Sequence, residues 1–173
     1  RVGPQKNGIG LQGLYWVGET SGSRVAAFTA NLNSWWPGAS PYGIGGSAWG
    51  GPSNHGSGYA MFNNFKGLKL QGITTLPAVD RSTRPWAFLG TGAQDDWYAD
   101  YQDWLVANQT APNTVGGGQW AGMNFSCCYG GQNINAAVAE LILSPVALVL
   151  PDADKFGDFG LTPATNTAIE GGS

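Results

Sequence analysis

Glycine punctuates this chain from end to end: 28 of its 173 residues are Gly and 10 more are Pro. Apolar stretches are therefore short, rich in aromatic and β-branched residues, and separated by clusters of Gly, Pro, Asn and Ser. That rhythm argues strands joined by turns. Candidate strands are 11–17, 24–30, 58–65, 68–74, 85–89, 119–127, 137–143 and 146–150, about eight in all. The clearest alternation sets Ala121, Met123, Phe125 and Cys127 against Trp120, Gly122, Asn124 and Ser126.

One span breaks the pattern. Over 94–108, Trp97, Tyr101, Trp104 and Leu105 recur at helical spacing, with Asp95, Asp96, Asp100 and Asp103 elsewhere on the turn. This reads as an amphipathic helix whose aromatic side is core and whose acidic side is solvated. Early Asp residues suit a helix N-terminus, where the backbone dipole favours negative charge. No period of 20 to 50 residues is visible, which argues against a solenoid or propeller. The expected fold is all-β: a single jelly-roll β-sandwich or barrel of about eight strands with one short inserted helix, spanning 11–160. Residues 1–10 and 161–173 read as N- and C-terminal arms. The stretch 34–58, dense in Gly, Pro, Ser, Asn and Trp, reads as a functional loop or an excursion covering the sheet.

Composition narrows the function. Charged residues are 11% of the chain, against roughly 25% in an average soluble domain. With 42% apolar content and 21 aromatic residues the chain can still bury a core. Eight scattered Lys and Arg form no basic stripe, so no contact with nucleic acid is expected. A single His excludes a His-rich metal site, and two Cys exclude a disulfide scaffold. The longest apolar segment, 136–151, is interrupted by Glu140 and Ser144-Pro145 and is too short to span a bilayer. No signal-peptide pattern is visible, and an opening at Arg1 leads to the expectation that upstream residues were removed.

Trp35, Trp36 and Trp49 in the Gly-rich stretch are the most suggestive binding residues, with Trp97 beside them. An exposed Trp stacks on a sugar ring or anchors a subunit contact, whereas the bland reading has it closing one end of the barrel. Cys127 and Cys128 point to opposite faces of a strand, Cys127 as a small buried residue and Cys128 as a free thiol or subunit contact. Asp152, Asp154 and Asp158 partly resemble a calcium loop, but Phe156 stands where a ligand belongs and Pro163 where the bidentate Glu should be. They remain the only metal candidates, and no cofactor is expected. His55, in 52–57, lies near hydroxyls without a nucleophile-elbow motif and reads as a loop residue. Asp96 and Asp100, one helical turn apart, are the pair a hydrolase would use, although nothing in the sequence raises the pKa of either. Asn108 and Asn124 begin glycosylation triplets.

So few charges leave much of the exterior uncharged, and such a surface is comfortable against copies of itself. With the eight expected strands, uncharged turns such as 41–46 and two extended arms, the chain resembles the single-barrel coat proteins of icosahedral viruses. In length it is similar to the smaller major capsid protein of tailless, membrane-containing phages of thermophilic bacteria. Twelve Asn and scarce ion pairs point away from a thermophilic host. The resemblance implies a non-enzymatic building block of a virion shell, packed against copies of itself and other capsid proteins. The alternative is a secreted, extracellular carbohydrate-binding β-sandwich that uses the same Trp residues.

Overall fold

The computed structural model describes residues 4–36, 54–84, 86, 92–110, 120, 123 and 132–144. They form α1 (Pro4–Trp16), α2 (Ser23–Trp35), α3 (Gly58–Leu70), a 3₁₀ turn (Arg81–Thr83), α4 (Trp97–Ala107) and α5 (Gln132–Leu143). No strand occurs among the described residues, and extended backbone pairs only in isolated bridges such as Thr75 with Asp96.

The all-β expectation is overturned, and the jelly roll and β-barrel with it. The stretches 11–17, 24–30, 58–65 and 137–143 lie in α1, α2, α3 and α5, while 68–74 is the end of α3 and the turn after it. The helix expected over 94–108 coincides with α4. The stretches 85–89, 119–127 and 146–150 fall largely or wholly outside the described residues. Helix α1 begins at Pro4, inside the segment 1–10 expected as an arm, and residues 161–173 lie outside the described residues.

In α1 and α3 the physical reason lies in how the glycines are used; α2 and α5 contain none, and their short apolar runs fit a helix as well as a strand. A Gly in a helix interior costs about 1 kcal/mol relative to Ala, which makes it read as a breaker. Here Gly8 and Gly67 let two helix backbones touch. A Cβ on Gly8 would sit 2.4 Å from the carbonyl group of Asn63, and one on Gly67 would sit 2.4 Å from the carbonyl oxygen of Gly8. Gln12 Nε2 reinforces the crossing by donating to the Asn63 carbonyl at 3.0 Å and to the Gly8 carbonyl at 3.3 Å. Under the glycines the buried residues keep a helical period: Asn7, Leu11 and Leu14 in α1, and Met61, Phe65 and Leu68 in α3.

Helix ends are set by local chemistry. At the end of α1, Gly18 (φ 80) donates to the Tyr15 carbonyl and Glu19 to that of Leu14. Gly72 (φ 65) and Ile73 repeat the same closure on Lys69 and Leu68 after α3. Ser57 caps α3 by accepting from Ala60 N–H, and Asp96 caps α4 by accepting from Tyr98 and Ala99 N–H.

Helix α1 packs on α3 and α2, and α5 packs on α3 and α4. Between them lies one aromatic-rich core, in which Trp36, Trp97, Trp104, Tyr101 and Phe65 are at most 1% exposed. Buried indoles find backbone acceptors: Trp97 Nε1 donates to Ile73 O at 2.8 Å and Trp120 Nε1 to Leu105 O at 2.7 Å. No helix among the described residues is long and apolar enough to cross a membrane.

Candidate functional site

Three separate pieces of chain converge on Asp100 of α4. The period that turns Trp97, Tyr101 and Trp104 into the core also carries Asp100 and Asp103 inward, and both are buried. The acidic side of this helix is therefore not the solvated face its sequence suggested. Asp103 is held by Arg81 of the 3₁₀ turn, whose Nε and Nη2 lie 2.9 and 2.7 Å from the same carboxylate oxygen. A guanidinium gripping a carboxylate with two nitrogens is a good way to keep a buried charge, and it ties the 3₁₀ turn to α4.

Asp100 has a richer neighbourhood. Trp36, just past the end of α2, donates its indole N–H to Asp100 Oδ2 at 2.7 Å. Arg84, which follows the 3₁₀ turn, places Nη2 3.3 Å from that oxygen. His55, in the turn before α3, places Nε2 3.0 Å from it. Burial works against ionisation of Asp100, but His55, Arg84 and the Trp36 indole outweigh it and hold the carboxyl below its ordinary range. Asp100 is thus a buried carboxylate kept charged by its partners.

Aromatic rings wall this group. Trp36 stacks on Tyr101 with centroids 4.8 Å apart, and the His55 ring lies 4.8 Å from Trp86 and 5.3 Å from Tyr101. The Arg84 guanidinium lies 5.5 Å from the Trp86 ring. Behind them Tyr101 donates its hydroxyl to Asn54 Oδ1, and Asn64 Nδ2 donates to the same oxygen at 3.2 Å. Burial pushes the Tyr101 hydroxyl far above the usual phenol range, so it stays neutral.

Several polar atoms in this cluster make no hydrogen bond. Of the eight buried side-chain atoms without a hydrogen-bond partner among the described residues, six belong here: Asn54 Nδ2, Asn64 Oδ1, Arg84 Nε, Trp86 Nε1, Asp100 Oδ1, and His55 Nε2, which lies against Asp100 Oδ2. The His55 and Arg84 side chains are 9% and 8% exposed, so together with Trp86 they form the rim of the group.

The residues singled out from sequence are distributed as follows. Trp36 and Trp97 are each 1% exposed, so neither offers a free ring face. Trp35 is half-buried and donates to Asn31 Oδ1 at 3.1 Å. Asp96 is spent on capping α4, and Asn108 closes the same helix by donating to the Trp104 carbonyl. Trp49, Asn124, Cys127, Cys128, Asp152, Asp154 and Asp158 lie outside the described residues. No group of three metal-ligating side chains exists among the described residues. Arg84, Trp86, Asn54 and Asn64 were missed. The available signal was local: the segment 81–86 puts two Arg and a Trp within six residues of a chain that has few cations.

No protein-family model matches the chain, and neither a curated protein nor a solved structure matches it.

Proposed function

We propose that the domain binds a small polyhydroxylated ligand, a sugar or a sugar-like molecule, at the rim formed by His55, Arg84 and Trp86 beside Asp100. The observation that carries this reading is the gathering, in one aromatic-walled cluster, of five buried polar atoms with no hydrogen-bond partner among the described residues. Each such atom costs about 1–3 kcal/mol when left unmatched. The set contains donors (Asn54 Nδ2, Arg84 Nε, Trp86 Nε1) and acceptors (Asn64 Oδ1, Asp100 Oδ1). Hydroxyl groups, which donate and accept, satisfy such a mixture, and the C–H face of a sugar ring suits an indole. The reading is one of binding, and it replaces exposed Trp faces with a recessed rim.

The test is an intrinsic-fluorescence titration of the full chain with neutral mono- and disaccharides. A saturable change is expected for at least one sugar, weakened about tenfold or more in Trp86→Ala and unaltered in Trp16→Ala. No saturable change with any sugar overturns the reading.

A second reading, association with copies of itself, is favoured by a different observation. Ile9, Trp16 and Val17 of α1 and its end are 41%, 65% and 74% exposed, an apolar stripe at helical spacing on a weakly charged surface.

A further inference from the structure

We infer that α1 pairs with α1 of a second copy of this chain in an antiparallel two-fold crossing, in which Ile9 of each chain seats over the partner's Gly13 and Lys6 of each chain lies on the partner's Trp16 ring. The inference rests on the self-association reading above and specifies which face meets which.

The exposed face of α1 is one straight stripe. Among the described side chains of the helix the exposed positions are Lys6, Ile9, Gly13 and Trp16, spaced three, four and three residues apart. They point away from Asn7, Leu11 and Leu14, which are buried on the opposite side. The spacing reads the same in both directions. A two-fold axis between Ile9 and Gly13 therefore brings Ile9 opposite the partner's Gly13 and Lys6 opposite the partner's Trp16, each pair twice.

Shape matches at the first pair. Among the described residues nothing lies within 4 Å of where a Cβ on Gly13 would sit, so the helix surface is bare there and an isoleucine side chain can settle over it. The chain uses the same device internally, where Gly8 and Gly67 let α1 and α3 touch. Charge matches at the second pair. Lys6 stands in the first turn of α1, where the helix dipole disfavours a cation, and the last turn holds no basic residue. The antiparallel crossing carries Lys6 to the partner's C-terminal end, which attracts a cation, and onto an indole face. A lysine over an aromatic ring already occurs within the chain, with Lys69 Nζ 3.8 Å from the Tyr98 ring centroid. A parallel crossing would set Lys6 against the partner's Lys6, two like charges. One face of a 13-residue helix is about 20 Å long and about 10 Å wide, short of the roughly 1,200 Å² that stable complexes bury, so the pair is reversible.

The experiment is sedimentation equilibrium of the full chain beside Gly13→Gln, Lys6→Gln and Lys6→Arg. The wild type is expected as a monomer–dimer equilibrium with no larger species, because a two-fold crossing closes on itself. Gly13→Gln fills the bare site without touching the single chain, so its far-UV circular dichroism is expected to be unchanged and its dimer weakened at least tenfold. Lys6→Gln is expected to weaken the dimer about fivefold, and Lys6→Arg to keep it. In an equal mixture of isotope-labelled and unlabelled chains, nuclear Overhauser contacts between chains are expected from Lys6 to the Trp16 ring. Within one chain these residues lie about 15 Å apart along the helix, so the contact reports the pairing. A wild type that is monomeric at every concentration overturns both this inference and the self-association reading. A dimer that Gly13→Gln or Lys6→Gln leaves as tight as the wild type, interchain contacts between two Trp16 rings in place of Lys6 with Trp16, or species larger than a dimer overturn the antiparallel crossing and leave self-association intact.

Discussion

Asp100 is the residue on which the account turns, and its ionisation is a stability statement. Its folded-state pKa lies below the unfolded value, so the folded protein binds fewer protons there than the unfolded chain does. The stabilisation is complete above the ordinary carboxylate range of about pH 4 and is lost as pH falls through the depressed folded-state value. Urea melts across acid pH are expected to show a steeper loss of stability for the wild type than for Asp100→Asn. At neutral pH the Asn variant is expected to be less stable by about 3 kcal/mol, because Arg84 stays in the cluster without the charge it faces. Little of this was readable from sequence. The helical period identified Trp97, Tyr101 and Trp104 as core, but the same period carries Asp100 and Asp103 to the buried side, and polarity argued the reverse. What makes burial tolerable for Asp100 is supplied by Trp36, His55 and Arg84, residues far from it in the chain, and no local pattern announces such partners. His55 was read as a loop residue; it does lie in a turn, with its ring packed among Trp36, Trp86 and Tyr101.

At the scale of elements, the glycines in α1 and α3 carry opposite predictions. Gly67→Ala places a methyl group 2.4 Å from the Gly8 carbonyl oxygen and is expected to destabilise the protein by about 1–3 kcal/mol. Gly13, on the same α1, has nothing within 4 Å of where a Cβ would sit. Gly13→Ala is expected to stabilise by about 0.5–1 kcal/mol through helix propensity alone. Chemical denaturation of both variants checks the pair; a stabilised Gly67→Ala would contradict the close crossing of α1 and α3. Asp96→Ala removes the acceptor for two N–H groups at the start of α4 and is expected to cost about 1 kcal/mol, read in the same way. These helices were mistaken for strands because Gly counts against a helix locally, whereas its advantage here appears only when a second helix is brought alongside. The helical spacing of Leu11 with Leu14, and of Met61, Phe65 and Leu68, was present throughout. Helix α4 was read correctly, whereas α2 and α5, which also have no Gly, were read as strands from their short apolar runs of Val, Ile, Leu and Phe.

The whole molecule unites these levels: helices α1 to α5 enclose an aromatic core, and one side of that core is polar, charged and incompletely satisfied. Far-UV circular dichroism is expected to show the double minimum of a helical protein, and a spectrum dominated by strand would contradict the fold. For self-association, light scattering across concentration is expected to show a mass above the monomer that falls toward it in Trp16→Ser/Val17→Ser; a wild type monomeric at all concentrations would remove that reading. The most direct test of the central claim is ¹⁵N–¹H NMR of the Trp indole groups during titration with sugars. Trp97 and Trp120 donate to backbone carbonyls and serve as internal controls, whereas Trp86 Nε1 has no partner among the described residues. A ligand at the rim shifts the Trp86 signal, and through Asp100 that of Trp36, while the two controls stay in place. An unmoved Trp86 signal at saturating sugar, or shifts confined to other indoles, would contradict it.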